Sequence, residues 1–318
     1  MKNCLRIKYF PISAFSILLW LFGFTIVIQK ISEIFFYTKT FWNITLIVSI
    51  FLFFIVTIFY TLKIIFHLDE VKREFNNNIK LQFFPTFSIS LILMSIALMN
   101  INIHISFLIW AIWSLIQLLI TIKILSIWIK KTSFEIKHIN PAWFIPIVWN
   151  ILVPIAWVTH ANQHISWFFF SVGIVFWIAL FSMVMNRIIF HHPIDKKLIP
   201  TLFILIAPPA VAMISYTKLN WELSNFSYIM YYFAIFMTMF LITQFKTFTK
   251  IKFFLSWWAY SFPISTITIA SILMFKINSE IIFKYIWVFL FILLCILIFI
   301  LIYKTFFAIK RKEICVEE

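Results

Sequence analysis

Residues 281–307 read IIFKYIWVFLFILLCILIFILIYKTFF. Lys284 and Lys304, near its two ends, are the only charges, and the run contains neither glycine nor proline. About 20 residues of α-helix cross the roughly 30 Å hydrocarbon core of a bilayer. In water this mixture of isoleucine and phenylalanine would favour a strand. In lipid the backbone must satisfy its own hydrogen bonds, and at this length a helix does so within one segment. The run is therefore a membrane-spanning helix.

Similar runs recur upstream. They predict spans at Pro11–Ile28, Phe41–Phe66, Phe83–Met99, Ile105–Ile127, Ala142–Val158, Trp167–Ile189, Leu198–Tyr216, Phe226–Phe245 and Phe253–Phe275. With Ile281–Phe307 they make an all-α polytopic membrane protein of ten transmembrane helices, one domain over residues 1–318. Composition agrees: 64% of residues are hydrophobic and 12% charged, too few charges to cover a soluble surface. The first run follows Lys2, Arg6 and Lys8, and no small-residue cleavage site follows it, so it reads as a retained helix rather than a signal peptide.

The net charge of +15 is distributed as topology, not as a nucleic-acid-binding face. Of 26 Lys and Arg residues, all but Lys30, Lys39, Lys218, Lys276 and Lys284 fall on the side of the amino terminus. The positive-inside rule makes that side cytoplasmic and puts both termini there. Lys63 and Lys123 fall in the cytoplasmic ends of the second and fourth helices, where their heads are expected to snorkel to water.

Nine of the ten prolines lie in or beside odd-numbered spans; Pro193 is the exception. Phe10-Pro11-Ile12-Ser13, Phe84-Pro85-Thr86, Val153-Pro154-Ile155, Ala207-Pro208-Pro209 and Phe262-Pro263-Ile264-Ser265 form a loose repeat, one per odd span. Proline deletes a backbone hydrogen bond and bends a helix. The repeat predicts five helical hairpins, with five kinked inner helices around an axis and five straight outer ones facing lipid. Only Gly23 and Gly173 are available for close packing, so alanine and serine are expected to supply the other small contacts.

No predicted span contains Asp or Glu, and every histidine lies in a loop or at a membrane edge. Intramembrane proton relays use such groups, so their absence favours passive conduction over coupled transport. It also argues against a membrane-embedded metal enzyme and against any cofactor. His191-His192 beside Asp195 reads as a solvated turn rather than a metal site. Cys4, Cys295 and Cys315 are scattered and define no disulfide framework. Ser13, Ser16, Ser88, Ser90, Ser215, Ser261, Ser265 and Thr266 lie on the kinked helices, where hydroxyls can bond back to the helix or replace an ion's water.

Pro141-Ala142-Trp143-Phe144-Ile145-Pro146, Ile165-Ser166-Trp167-Phe168-Phe169-Phe170-Ser171, Phe190-His191-His192-Pro193, Pro200 to Ala210, and Ser256-Trp257-Trp258-Ala259-Tyr260-Ser261-Phe262-Pro263 occur in that order. Together they resemble the tellurite-resistance/dicarboxylate transporter family, which includes bacterial TehA and the plant slow-type anion channels. The resemblance implies a bacterial inner-membrane homotrimer, a pore in each subunit, and passive conduction of small inorganic or organic anions. It also implies a phenylalanine plug, at Phe262 here, with Phe10 and Phe84 as weaker candidates. Pro11, Pro85, Pro154, Pro208, Pro209 and Pro263 would shape the pore. A C4-dicarboxylate transporter or a tellurite exporter is the alternative the family's names imply. Trp149 and Trp157 stand where smaller residues are expected, and their bulk predicts a narrowed pore or a repacked fifth helix.

Overall fold

A computed structural model describes residues 7–157 and 162–314. Among them, nine helices are long and apolar enough to cross a membrane. These are α1 (Ile12–Ser32), α2 (Lys39–Phe66), α3 (Lys80–Leu98), α4 (Ile103–Lys130), α6 (Gln163–Phe190), α7 (Ile199–Asn220), α8 (Asn225–Thr243), α9 (Leu255–Asn278) and α10 (Ile281–Lys310). The tenth, α5 (Pro141–Ala156), covers the described part of the span predicted there. The protein is an all-α, multi-pass membrane protein.

Burial separates two sets. Within the apolar window of each helix, 78% is buried in α1, α3 and α7 and 83% in α9. The even-numbered helices are only 22–39% buried. Each even helix packs on the odd helix before it, and α1, α3, α5, α7 and α9 touch in a closed order that returns to α1. The even helices turn one stripe inward. In α10 the stripe is Phe283, Trp287, Leu290, Leu294, Ile298 and Leu301, at helical spacing. The opposite face, with Phe289 and Phe299, is exposed and equally apolar, as a lipid-facing surface must be.

The expected proline kinks take a specific form. Each odd helix enters as a tight 3₁₀ stretch and then becomes α-helical: Ile12–Ala14 precedes Phe15–Ser32, Ile199–Ile206 precedes Ala207–Asn220, and Leu255–Tyr260 precedes Ser261–Asn278. Pro208, Pro209 and Pro263 sit in the first turn of the α part, and Pro85 caps it in α3. A first-turn N–H has no intrahelical partner, so proline costs little there and marks the junction.

In α5 the 3₁₀ stretch Val148–Leu152 interrupts the helix midway along it, and side chains of its neighbours close the backbone bonds. Gln117 Nε2 donates to Pro146 O at 3.2 Å, and Thr121 Oγ1 lies 2.7 Å from the same oxygen. Trp110 Nε1 donates to Val153 O at 2.9 Å, and Ser215 Oγ to Ile151 O. Irregular backbone survives at this depth because protein, not lipid, surrounds it.

Both glycines serve close approaches. A Cβ on Gly173 of α6 would lie 2.4 Å from Ile151 Cγ1 and 2.8 Å from Val148 O of α5. A Cβ on Gly23 of α1 would lie 3.0 Å from the Phe262 ring of α9.

Lys63 departs from the snorkelling expectation. Its ammonium is buried, 2.9 Å from Glu74, and donates to Phe10 O at 2.8 Å. Glu74 comes from a short amphipathic helix, Leu68–Asn76, that packs on α2 and on the start of α3. A carboxylate is thus brought to the lysine, which removes any need to reach water. Lys123 is exposed, as expected.

Candidate permeation site

The five inner helices line a cavity of about 110 Å³. Gly23, Ile26 and Lys30 of α1 and Val211, Ile214 and Lys218 of α7 line it at the same three-then-four spacing, as do Leu93 and Ile96 of α3 with Asn100 in the turn just past it. Leu152 and Ile155 come from α5, and Phe262, Thr266 and Ile269 from α9. Helical periodicity puts each set on one face. No even-numbered helix contributes to the wall.

Phe262 is 5% exposed and is held from two sides. Its ring edge faces Gly23, where the missing side chain leaves it room. Its ring also meets Trp149 of α5 edge-on, with centroids 5.0 Å apart and planes at 76°. Trp149 is therefore a wall of the Phe262 seat; the fifth helix has not turned it away. The side chain of Trp157 lies outside the described residues.

The other expected site residues lie elsewhere. The Phe10 ring stacks on Phe59 of α2, and the Phe84 ring meets Phe75 of the Leu68–Asn76 helix. Neither lines the cavity, and neither do Pro11, Pro85, Pro154, Pro208, Pro209 or Pro263. The hydroxyls mostly bond to their own helices: Ser261 to Trp258 O, Ser265 to Ser261 O and Thr266 to Pro263 O. Thr266 alone of those eight hydroxyl residues lines the cavity.

The cavity wall is polar at the end away from the chain's amino terminus. Beyond it, Glu33 takes Lys30 at 2.6 Å and also Lys276, tying the end of α1 to that of α9. Burial pushes the Glu33 carboxyl up, but the two ammonium groups outweigh it and hold it below the usual carboxylate value. Sequence reasoning had assigned these lysines to topology alone. The signal that finds Lys30 and Lys218 is their register, seven residues beyond Gly23 and Val211 on the same helical faces.

An inner set of helices lining a cavity, wrapped by an outer set that faces away from it, is an arrangement suited to a membrane transport protein. The model of the family described as "Voltage-dependent anion channel" matches residues 9–306, and the chain belongs to that family, one of anion channels and transporters. The S-type anion channel SLAH2 of Arabidopsis thaliana is 27% identical over 227 residues, covering 71% of this chain and 44% of the plant protein. The Uncharacterized transporter MJ0576 of Methanocaldococcus jannaschii is 26% identical over 266 residues, 75% of this chain and 76% of that one. The Tellurite resistance protein TehA homolog of Haemophilus influenzae is 24% identical over 211 residues, 65% of this chain and 63% of that one. The chain spans less than half the length of SLAH2 and SLAH3.

Proposed function

We propose that the protein is a gated anion channel that conducts passively through the inner ring, with Phe262 as its closure. The observation that carries this reading is the cavity lined by all five inner helices and by none of the outer ones, with Phe262 seated between Gly23 and Trp149. A hydrophobic constriction stops ions because it strips their water without replacing it. No salt bridge holds Phe262, so a rotamer change with modest backbone movement opens the path. The permeant species are small inorganic or organic anions. The assembly is a homotrimer in a bacterial inner membrane, with both termini cytoplasmic.

The competing reading is a coupled C4-dicarboxylate transporter or a tellurite exporter. The carboxylate-free spans favour conduction over coupling. With membrane potential clamped, collapse of the proton gradient should leave flux unchanged; loss of flux would establish the transporter instead. Phe262→Ala should give much larger standing anion currents at matched surface expression. A ring that only packs would instead cost about 3–5 kcal/mol of stability on truncation. Unchanged current with a marked drop in detergent stability would return Phe262 to the packing class.

A further inference from the structure

Lys218 projects into the polar end of the cavity and is half-buried. It makes no hydrogen bond or ion pair among the described residues, whereas Lys30 and Lys276 nearby are both engaged by Glu33. One carboxylate thus pairs with two of three nearby ammonium groups, and Lys218 is the one left over. Its ammonium, half-buried against apolar residues, shares the nearby Glu33 charge with Lys30 and Lys276 and is incompletely compensated, at a cost that an anion at the same place offsets.

Two further donors face the same space. Gln29 Nε2 uses one of its two N–H groups on Ala97 O at 3.4 Å and keeps the other. Asn100, exposed at the mouth of the cavity, has no protein partner for its side-chain amide among the described residues. The cavity's 110 Å³ compares with about 10–15 Å³ for one water on the same kind of measure. A small anion fits there together with several of its waters. Phe262 lines the same space beside Gly23, which lies seven residues before Lys30 on α1.

We propose that this cavity is a binding site for a small monovalent inorganic anion, with Lys218 as its charged ligand and Gln29 and Asn100 as further donors. The site is filled while Phe262 is closed. The proposal rests on the anion-channel reading for its ligand class, but it does not require the channel to open. The rival account is a lysine that threads its stem along the wall to reach water, with no ligand.

The test uses bromide on the purified full chain with Phe262 intact. Crystals grown in sodium bromide should give an anomalous peak in the cavity, within hydrogen-bond reach of Lys218 Nζ. Bromide should also stabilise the protein against heat, relative to gluconate at equal ionic strength. Lys218→Met should abolish the peak and weaken the bromide effect about tenfold, the loss expected for one charge-assisted hydrogen bond. Lys218→Arg should retain both. An empty wild-type cavity overturns the proposal without recourse to any variant. A peak and stabilisation unchanged in Lys218→Met overturn the role of Lys218. A silent Phe262→Ala channel would refute conduction while a bromide peak in the closed wild type still stood.

Discussion

If Phe262 closes the path as proposed, Trp149 offers a direct measure of how firmly its ring is held. It meets Phe262 edge-on with centroids 5.0 Å apart. Aromatic pairs in this geometry contribute about 0.5–1.5 kcal/mol beyond their buried area. If Phe262 leaves Trp149 when the path opens, that energy belongs to the closed state alone. A closed state weakened by this amount has an open population raised roughly 2- to 12-fold, while that population stays small. Trp149→Leu, which keeps apolar bulk but removes the ring, should therefore raise basal current by that factor at matched surface expression. The Phe262→Ala background supplies the control, because there is no ring left to hold. Trp149→Leu should add nothing in that background, so the two substitutions should be strongly non-additive. An equal increase in both backgrounds would mean that Trp149 narrows the path by itself. A fall in current would mean that the pair stabilises the open form. Either result refutes the reasoning.

Gly173→Ala should destabilise the protein by about 3 kcal/mol or prevent its assembly, because two of the three closest atoms are α5 backbone that cannot yield; an unchanged melting temperature in detergent would contradict the packing described. The Glu33 clamp should fail in acid. Its folded-state acidity is set below the ordinary carboxylate value, so its contribution is full above the unfolded value and fades as pH falls through the folded one; Glu33→Gln should flatten that part of the stability profile. A cysteine at Lys131 should react with impermeant reagents only from the cytoplasmic face of intact cells, and labelling from outside would break the assigned topology.

Much of the architecture was legible because lipid imposes long runs and charge bias, and because proline marks one helix of every pair. The inner and outer roles followed from Pro11, Pro85, Pro154, Pro208, Pro209 and Pro263. The facing of the outer helices was harder to see. With apolar residues on both sides, period alone says little; in α4 the inward stripe is given away by Ser106, Ser114, Gln117 and Thr121, polar groups that avoid lipid. Lys63 was misread because its partner Glu74 lies beyond the span, on a separate helix. The meeting of Trp149 with Phe262 joins residues far apart in the chain, and no local spacing encodes it. Phe10 and Phe84 share the Phe-Pro signature of Phe262, yet their rings turn to Phe59 and Phe75. The dipeptide sets a backbone junction and does not by itself aim a side chain at the axis.

The inner ring also bears on how such a protein answers to membrane potential. From Ile12 to Gln29, Leu81 to Leu98, Pro141 to Trp157, Ile199 to Thr217 and Leu255 to Phe275, the five inner helices carry no charged side chain. An electric field does work only on charge that moves through it, about 2.3 kcal/mol per elementary charge per 100 mV. Rearrangement of these helices or of the Phe262 ring moves almost none. A channel that opens as proposed would therefore give the field little purchase on its gate; the field would act chiefly on the ion in transit, and current should be a shallow function of voltage. Steep voltage dependence would have to be brought in by another element: the charged rims, a second protein, or the occupancy of the cavity itself.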